Sequence, residues 1–503
     1  MITLIIKNSN QCEVRGPLKV TNKLYNAYLI RHPNAWHIQL YQRKGGNNWD
    51  GKIKYINDRG QFRIGLLPHI YNTLKSWGEK VKVIDNRRGF NDIKPIIPTK
   101  LGDMTLYPRQ RKALKNLLGN KVGGVPFRIC AGDYSVGFGK SLIFCALHEA
   151  FQRKIPTVLL LNDSDLFNQF KREIPPMLPG EKIAFIQGSK CKEWGNFNVA
   201  MVQTLSRNIT LYQRQLTNIG MVLIDEADII DNNTYKTVIS HLYNSIIRIG
   251  LSGTLYMSKL KKDLVHNMNI MSFIGDKVDQ VMLKEQMKKG RATPVVVKMI
   301  STNFPVKVEG KNYQKEYEKV IAKNPIAYDI SFTRMKYNAG YGRFPMLIVT
   351  KYIEHCERLY KYYKKKNKEL GLGLRINYVH HKSKGRVKIL EDLRTGKLDI
   401  LISTTIISRG KNFPTLQYLQ NTASMDSNEK SIQILGRLVR QHESKKKAYL
   451  EDIMFPGSYL SRHGKHRKNY YKKQGLKVIV IDYREFINRI QNGKEEKEKR
   501  AKR

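Results

Sequence analysis

The chain has 503 residues, which exceeds the roughly 100 to 200 residues of a typical domain and predicts two to four domains. Hydrophobic residues make up 41% of the chain and charged residues 26%, proportions that exclude a wholly disordered protein. Ninety Lys and Arg against 42 Asp and Glu give a formal net charge of +48, so the expected partner is a polyanion such as nucleic acid; the alternative is a basic surface that only keeps the chain in solution.

The cysteines and the apolar runs indicate in which cellular compartment the chain is found. The five cysteines are scattered and include no Cys-x-x-Cys pair, which argues against a disulfide framework and a zinc site. The apolar run after Met1 is shorter than that of a signal peptide, and no run approaches the roughly 18 residues of a membrane span. We therefore expect a cytoplasmic protein without a membrane segment.

The first part of the chain, residues 1–95, carries short β-type runs at 3–6 and 52–56 and a helical stretch near 68–77. It is predicted to form a small α+β domain. Residues 91–102 contain two prolines and end in glycine, so they are predicted to be a linker.

Further along, apolar runs alternate with longer mixed segments, a pattern typical of strands covered by helices on both faces. The runs fall in two series, at 158–161, 199–202, 221–224 and 246–251, and at 346–349, 376–379, 400–403 and 478–481. They predict two α/β lobes, at 103–275 and 336–485, with a connector at 276–335 and a charged tail at 486–503.

The first motif with recognisable chemistry ends in Gly139, Lys140 and Ser141. Small residues such as Gly137 and Gly139 let backbone N–H groups wrap phosphates, a lysine reaches the β and γ phosphates of a nucleotide, and a hydroxyl binds Mg²⁺. The pattern departs at Tyr134, where a P-loop has glycine. Taken alone, the segment is equally well interpreted as a glycine turn before a helix.

A second motif follows the apolar run 221–224, which leads into Asp225-Glu-Ala-Asp. In an ATPase, Asp225 would hold Mg²⁺ and Glu226 would polarise the attacking water. The alternative interpretation is an acidic helix cap after a strand.

A third motif contains Gln433, Arg437 and Arg440, which share one face if the segment is helical. Two guanidinium groups there could contact a γ-phosphate as arginine fingers. The alternative is a basic helix face that meets solvent or a phosphate backbone. Lys140 and Arg440 fall in different predicted lobes, which implies a site that closes when the lobes move.

In their order along residues 104–445, these segments resemble the motifs of superfamily 2 helicases. The further segments that carry the resemblance are Gln110, 162–169 (motif Ia), 202–204 (Ic), 225–228 (II), 252–254 (III), 345–350 (IV), 403–410 (V) and 433–440 (VI). The resemblance implies two tandem RecA-like lobes with parallel sheets and flanking helices. It also implies an ATP hydrolase in which Gln110 reads adenine and Arg437 and Arg440 sense the γ-phosphate.

The same resemblance implies where nucleic acid is held. In this family the strand is contacted mainly at its phosphates, by motifs Ia, Ic, IV and V. The corresponding residues here are Gln169, Thr204, Lys351 and Thr404. Contacts to phosphates suit a motor that must move along any sequence.

The front of the chain, at 47–53 and 62–68, is similar to the amino-terminal domain of the UvsW-type phage helicases. That resemblance implies a nucleic-acid-binding accessory domain and an enzyme that remodels branched DNA such as forks, Holliday junctions and D-loops. It further implies a phage protein of the host cytoplasm, with phage replication or recombination proteins as possible partners. Trp49 is the candidate for a wedge or stacking residue at a junction, or else an ordinary core tryptophan.

Two other functions stay open. The literal Asp-Glu-Ala-Asp at 225–228 suggests an RNA helicase, although the segment at 162–169 lacks the Pro-Thr-Arg-Glu-Leu of that family. Tyr134 suggests a nucleic-acid-binding scaffold whose ATP site has decayed. Separately, the basic stretch 462–474 contains two tyrosines, which suits either base stacking along a phosphate backbone or a solvated helix face.

Overall fold

The computed structural model describes residues 1–36, 38–39, 49–87, 93–188, 193–256, 261–306, 312–405, 413–426 and 428–501. Residues 47–48 of the front-domain motif and 406–410 of motif V therefore lie outside the described residues. The chain forms two compact units, Met1–Tyr134 with Phe138–Val281, and Met282–Arg503 with Ser135–Gly137. In the described part of the chain, every helix is too short or too polar to span a bilayer.

The front domain contains a four-stranded sheet in the order β5-β2-β1-β6 and a two-stranded sheet of β3 and β4. Its elements are β1 (Ile2–Ile6), β2 (Gln11–Arg15), α1 (Leu18–Ala27), β3 (Leu29–Arg31), β4 (Lys52–Lys54), β5 (Gln61–Arg63), a 3₁₀ turn (Ile64–Leu66), α2 (Leu67–Ser76) and β6 (Val81–Asp85). Alternate residues of β1 are buried, as expected for a sheet with one covered face. The core beneath this face also includes Phe127, Ile129 and Met268 of lobe 1, so the two parts share one apolar core.

Lobe 1 is built on a seven-stranded sheet in the order β13-β14-β12-β15-β16-β11-β17. Its elements begin with β7 (Lys100–Leu101), β8 (Met104–Thr105), α3 (Pro108–Leu118), β9 (Lys121–Val122), β10 (Val125–Pro126), β11 (Arg128–Tyr134), α4 (Lys140–Glu149), β12 (Thr157–Leu161), α5 (Ser164–Met177) and β13 (Ile183–Ile186). They continue with β14 (Phe197–Met201), α6 (Val202–Arg207), α7 (Ile209–Asn218), β15 (Met221–Asp225), a 3₁₀ turn (Ala227–Ile229), α8 (Asn233–Ser240), β16 (Ile247–Ser252), α9 (Lys261–Ile274) and β17 (Lys277–Val281). All strand pairs of the large sheet are parallel, so the strands have their carboxyl ends at one edge.

Lobe 2 has a second seven-stranded parallel sheet, in the order β20-β21-β19-β22-β23-β18-β24. Its elements begin with α10 (Leu283–Lys288), β18 (Val295–Ser301), α11 (Tyr313–Tyr317), a π-helical turn (Glu318–Ala322), α12 (Pro325–Ala339), β19 (Met346–Thr350), α13 (Ile353–Glu369) and β20 (Ile376–Val379). They continue with α14 (Arg386–Arg394), β21 (Ile400–Thr404), β22 (Tyr418–Asn421), α15 (Asn428–Leu438), β23 (Ala448–Met454), α16 (Ser458–Lys473), β24 (Val478–Asp482) and α17 (Tyr483–Ala501).

The predicted fold class, two α/β lobes with parallel sheets after a small α+β domain, is confirmed. Every apolar run named above for the two lobes corresponds to a strand of one of the large sheets. The segment 276–335, predicted as a connector, contributes a strand to each sheet: β17 lies at the edge of the first, and β18 pairs inside the second. Each lobe therefore includes part of the predicted connector, and the stretch of chain between the two sheets is shorter than predicted.

Candidate active site

The segment between β11 and α4 forms a tight loop at the carboxyl edge of the first sheet. Gly137 and Gly139 have φ angles of 85° and 84°, in the left-handed region that glycine adopts without steric cost. Gly139 is also the residue that precedes the first turn of α4. The N–H groups of that turn have no partner within the helix, so the loop and the helix end together present donors suited to an anion.

Gln110 lies against this loop. Its Nε2 donates to the carbonyl of Phe138 at 2.7 Å, and its Oε1 accepts from the N–H of Tyr107 at 2.9 Å, closing the first turn of α3. The side chain is 2% exposed, and a Cβ at Gly139 would come within 3.0 Å of Nε2. The predicted adenine contact is therefore held beside the loop by both its amide atoms.

Tyr134 ends β11, and its side chain packs into the core of lobe 1. It is fully buried, its ring centroid lies 4.6 Å from that of Phe138, and its ring crosses Gly132, where a Cβ would come within 2.7 Å of it. Burial and the nearby carboxylate of Asp279 raise the pKa of the Tyr134 hydroxyl. The aromatic residue at this position thus packs beneath the loop and supports it from the core.

Lys140, Asp225 and Glu226 meet at the carboxyl edge of the sheet because β11 and β15 are both parallel neighbours of β16. Lys140 Nζ lies 3.3 Å from Asp225 Oδ1 and 3.7 Å from Glu226 Oε1. Burial opposes the charge of Lys140, but the two carboxylates outweigh burial and raise the pKa of the ammonium. Burial also raises the pKa of Asp225, and Lys140 opposes that shift. Two carboxylates thus share one ammonium, which favours the arrival of further positive charge.

The segment after β15 is fixed to the end of β16. Glu226 has a φ angle of 49°, an unusual conformation for a residue with a side chain and one that occurs at functional sites. Two residues later, Asp228 accepts a hydrogen bond from Ser252 Oγ at 2.6 Å, and Thr254 N–H donates to the same Ser252 oxygen at 3.2 Å. Motif II and motif III are therefore joined by one buried hydrogen-bond chain. The motif pattern named Ser252 and Thr254 but gave no partner for them.

Sequence reasoning did not find the anchor of the helix that carries Gln110. Arg109 makes a two-pronged ion pair with Asp279 on β17, at 2.9 Å for each prong, and Asn116 donates to the same carboxylate at 2.9 Å. Both partners lie on α3, so Asp279 fixes that helix to the edge strand of the sheet. The only sequence signal was a single acidic residue within a segment predicted as a connector, which is too weak to identify such a role.

The third motif lies on and just after α15 in lobe 2. The amide oxygen and nitrogen of Gln433 are buried and have no hydrogen-bond partner in the described parts of the chain. Thr293 holds the segment that follows the helix, since its Oγ1 donates to the carbonyl of Arg440 at 3.0 Å. Lys445 Nζ donates to the carbonyl of Leu438, the last residue of the helix, at 2.9 Å. Arg437 is buried in the same helix.

The nucleic-acid candidates Gln169, Thr204, Lys351 and Thr404 lie at or after the carboxyl ends of strands in their own lobes. Gln169 donates to Glu173 at 2.6 Å, and Thr204 accepts from the N–H of Gly188 at 3.0 Å. Thr404, which ends β21, is mostly buried. Lys351 Nζ lies 4.0 Å above the ring of Tyr313. Their contacts with nucleic acid stay predictions.

In the front domain and in α16, the aromatic residues named from the sequence have structural partners. Trp49 is half-buried, and its Nε1 donates to the carbonyl of Lys52 at 2.9 Å. In the basic stretch 462–474, Tyr470 and Tyr471 are buried, and the Tyr471 hydroxyl donates to Asp452 at 2.9 Å. The stacking interpretation of those two tyrosines is therefore wrong, because α16 packs its aromatic face against β23.

Comparison with known proteins gives the same two-lobed division. Residues 103–257 match the family described as type III restriction enzyme, res subunit, and residues 341–442 match the helicase conserved C-terminal domain. Helicase 22 of Sulfolobus islandicus filamentous virus is 22% identical over 391 residues, which cover 73% of this chain and 66% of that protein. The chain thus spans just under two thirds of that relative.

A second relative is the ATP-dependent DNA helicase UvsW of Enterobacteria phage T4, 23% identical over 472 residues that cover 86% of this chain and 88% of UvsW. Among solved structures, a fragment of an HsdR subunit of a type I restriction enzyme from Vibrio vulnificus YJ016 has a similar fold, with a TM-score of 0.55 and 16% identity over 74% of this chain and 68% of that one. Since one family model covers each lobe and the sequence relatives are themselves helicases, the chain belongs to the superfamily 2 helicases, ATP-driven enzymes built on two RecA-like lobes, and it resembles UvsW.

Proposed function

We propose that this helicase acts on DNA, and that it unwinds and remodels branched DNA such as forks, Holliday junctions and D-loops during phage replication, recombination and repair. The observation that carries the proposal is the placement of Lys140 beside Asp225 and Glu226, next to the glycine loop. The similarity to UvsW, which covers 86% of this chain, supports DNA as the polymer. The net charge of +48 suits any nucleic acid.

Each residue of the lobe 1 site has a distinct part in binding and hydrolysis. The backbone N–H groups of the loop and the Lys140 ammonium bind the phosphates, and Gln110 contacts the adenine edge. Glu226 accepts the proton of the attacking water, since its carboxylate lies beside the phosphate-binding lysine and is only partly buried.

The donor set also fits Mg²⁺. Asp225 Oδ1 is buried and lies 3.3 Å from the Lys140 ammonium, and its environment already contains one more carboxylate than ammonium. A hydroxyl and a carboxylate, from Ser141 and Asp225, are the hard oxygen ligands that Mg²⁺ takes together with substrate phosphates. When bound, the ion would neutralise charge on the phosphates. Within the described ranges, no three His, Cys, Asp or Glu side chains form a cluster that could hold a metal without such phosphates.

The roles of the other motif residues are part of the same proposal. Gln433, Arg437 and Arg440 are proposed to sense the γ-phosphate, which the buried amide of Gln433 supports because it has no hydrogen-bond partner among the residues that the structure describes. Gln169, Thr204, Lys351 and Thr404 are proposed to hold strand phosphates, and Trp49 to stack at a junction. The front domain is proposed to bind nucleic acid, with phage replication or recombination proteins as further partners.

The first test is steady-state ATP hydrolysis by the full chain without polynucleotide and with single-stranded DNA, linear duplex, a four-way junction and single-stranded RNA. We expect the strongest stimulation from the four-way junction. Lys140→Ala should lower the stimulated rate by about 100-fold or more, because a positioned cation at the phosphates is lost.

Lys154→Ala is the matched control, since Lys154 is an exposed lysine of lobe 1 beyond the site, and its rate should equal that of the unmodified chain. Stimulation by RNA alone would replace the DNA proposal with the RNA helicase that Asp-Glu-Ala-Asp suggests. If Lys140→Ala hydrolysed ATP as fast as the unmodified chain, or if no polymer raised the rate, the motor proposal would fail.

A further inference from the structure

A cavity of about 600 Å³ lies between the front domain and lobe 1. Its volume falls within the range of roughly 300 to 1,000 Å³ that is usual for ligand pockets. The front-domain wall comes from the turn between β1 and β2 and from β4 and β5, and the lobe 1 wall comes from α8, α9 and the segments on either side of α8. No residue of the ATP site lines this cavity.

The seam around the cavity is closely packed. Gly65 lies against the backbone of α9, where a Cβ would come within 2.1 Å of the carbonyl of Met271. Arg248 of β16, which is buried, donates to the carbonyl of Ser9 and to Asn10 Oδ1, each at 2.7 Å. Tyr55 donates to the carbonyl of Val265 at 3.1 Å. These contacts fix both walls, so the cavity is preformed.

The walls favour an anion. The charged lining residues are Lys54, Arg63, Lys236 and Asp231, three cations and one carboxylate. The carboxylate is already engaged, since Asp231 lies 2.7 Å from Lys236 Nζ and accepts from Asn269 at 2.9 Å. Burial opposes the charge of Asp231, but hydrogen bonds from His266, Lys236 and Asn269 outweigh it and lower its pKa to about 2. Lys54 Nζ lies 3.7 Å from Asp58, a pair exposed to solvent. The positive charge of Arg63 is therefore the strongest field that the lining offers to an anion.

Arg63 also provides a flat surface. Its guanidinium lies 4.2 Å from the ring centroid of Phe273, and in the described parts of the chain it has no hydrogen bond and no ion pair within 4.0 Å. A guanidinium held on an aromatic ring presents its second face for stacking and its five N–H groups for phosphate. Lys54 Nζ, on the adjacent β4, is exposed at the rim.

Amide side chains supply the remaining polar groups. Gln11 lines the cavity and has no side-chain hydrogen bond to the residues that the structure describes. Asn57 and Gln61 bond each other at 3.1 Å on the same wall. Amides that carry both donors and acceptors match the edges of a nucleobase.

We infer that this cavity binds one unpaired nucleotide, with its base stacked on the Arg63 guanidinium and its phosphate near Lys54 and Arg63. The shared chemistry is a base with a phosphate, which either a nucleic-acid strand or a free nucleotide can supply. The inference rests on the proposed function, because it expects a nucleic-acid strand held by the helicase to contact the front domain. It adds a nucleotide site that is separate from the helicase motifs.

The bound nucleotide would contact elements that come after the ATPase motifs in the chain. Asp231 lies shortly after the motif II turn Ala227–Ile229, and Asn269 lies on α9, which follows motif III. The same Asp231 and Asn269 bond each other across the wall of the cavity. Occupation of the cavity by an unpaired base is thereby linked to the segments that carry Asp228 and Thr254.

The test compares Arg63→Gln with Arg59→Gln in the full chain. Arg59 is an exposed arginine four residues away and does not line the cavity, so both variants lose the same charge from the same domain. The probes are a single-stranded DNA oligonucleotide with one 2-aminopurine and, separately, thymidine 5′-monophosphate. Arg63→Gln should weaken oligonucleotide binding by about tenfold, since one base stack and its charge are lost, while Arg59→Gln should stay within about twofold.

A second readout locates the site. A strand carrying 5-iodouracil, irradiated on the unmodified chain, should crosslink to Tyr243, an exposed aromatic residue of the lining, and Arg63→Gln should abolish that crosslink. If Arg63→Gln loses binding of the monophosphate but keeps binding of the oligonucleotide, the occupant is a free nucleotide. Equal binding by the two variants, together with crosslinks only elsewhere, would overturn the inference.

The two proposals fail in different ways. ATP hydrolysis without polynucleotide should be the same in Arg63→Gln as in the unmodified chain, because Arg63 lies outside the ATP site. If DNA stimulates ATP hydrolysis but Arg63→Gln and Arg59→Gln bind the oligonucleotide equally well, only the nucleotide cavity is ruled out. If no polymer stimulates hydrolysis, the motor function is ruled out, whatever the cavity binds.

Discussion

His355 is a buried imidazole on α13, 1% exposed, with Nδ1 2.8 Å from the hydroxyl of Tyr317. Burial lowers its pKa from about 6.5 to about 3. Near pH 7 the ring is neutral in both the folded and the unfolded chain. Below about pH 6.5 the unfolded chain takes up a proton that the folded lobe excludes until about pH 3, so the free energy of unfolding falls across that window.

His355→Gln should remove this part of the acid sensitivity. Between pH 6 and pH 4 the unmodified chain should lose up to about 1.4 kcal/mol per pH unit more than the variant, the free energy of one proton. Urea denaturation at pH 7, 6, 5 and 4 measures the slope. His381→Gln, at an exposed histidine of the same lobe, should keep the slope of the unmodified chain; parallel slopes for His355→Gln and the unmodified chain would contradict the assignment.

Single residues show what a motif can and cannot predict. The motif pattern assigned Lys140, Asp225 and Glu226 to one ATP site, and the structure brings the three side chains together because parallel strands have their carboxyl ends at one edge. It could not show that the Tyr134 side chain turns into the core, since the direction of a side chain depends on the strand's packing. The same limit applies to Tyr471, whose hydroxyl reaches the buried carboxylate of Asp452.

Among the elements, most strands with continuous apolar runs were predicted, whereas β22 and β23, which carry several buried polar groups, were not. β22 has the sequence Tyr-Leu-Gln-Asn, with all four residues buried. β23 contains Glu451 and Asp452, both buried and paired with the buried Arg334 and Arg467. Since each charge is matched by a distant partner, the strand reads as polar in sequence although it lies inside the sheet.

The ion pair that joins edge strand β17 to helix α3 leads to a testable prediction. Asp279→Asn would weaken the ion pair to Arg109 that fixes this helix, and Gln110 with it. We expect the KM for ATP to rise about fivefold, equivalent to about 1 kcal/mol, with kcat within about twofold, because Lys140, Asp225 and Glu226 are not touched. Steady-state kinetics at saturating DNA separate the two constants.

Asp103→Asn is the control, since Asp103 is an exposed carboxylate near α3, and it should leave both constants unchanged. A fall in kcat with an unchanged KM in Asp279→Asn would show that β17 acts on the hydrolytic step and not on nucleotide binding.

For the whole molecule, the excess of positive charge makes a prediction about salt. The logarithm of the affinity for DNA should fall linearly with the logarithm of the salt concentration. With six or more phosphate contacts, the affinity would fall by about 10³-fold or more between 50 and 200 mM salt. Fluorescence anisotropy with a labelled forked DNA measures the slope. Single-stranded DNA should give a shallower slope per contact, and affinity independent of salt would show that the basic surface only keeps the chain in solution.

The two-lobed frame could be predicted because the motifs occur in a fixed order and each lobe repeats the strand pattern. The cavity at the seam could not, since its walls join residues 8–66 to residues 231–273 and no local pattern marks that meeting. Arg63 and Phe273 are ordinary residues in sequence, and the packing of the front domain on α9 brings them into contact.

The shared core of the front domain and lobe 1 has a consequence for how this enzyme can be dissected. Removing residues 1–95 would uncover Phe127, Ile129 and Met268 and leave the guanidinium of Arg248 without two of its acceptors. A truncated chain would therefore be less stable. A loss of its activity would reflect impaired folding as much as impaired DNA binding. Point substitutions at the surface of the front domain are the changes that can separate recognition from integrity.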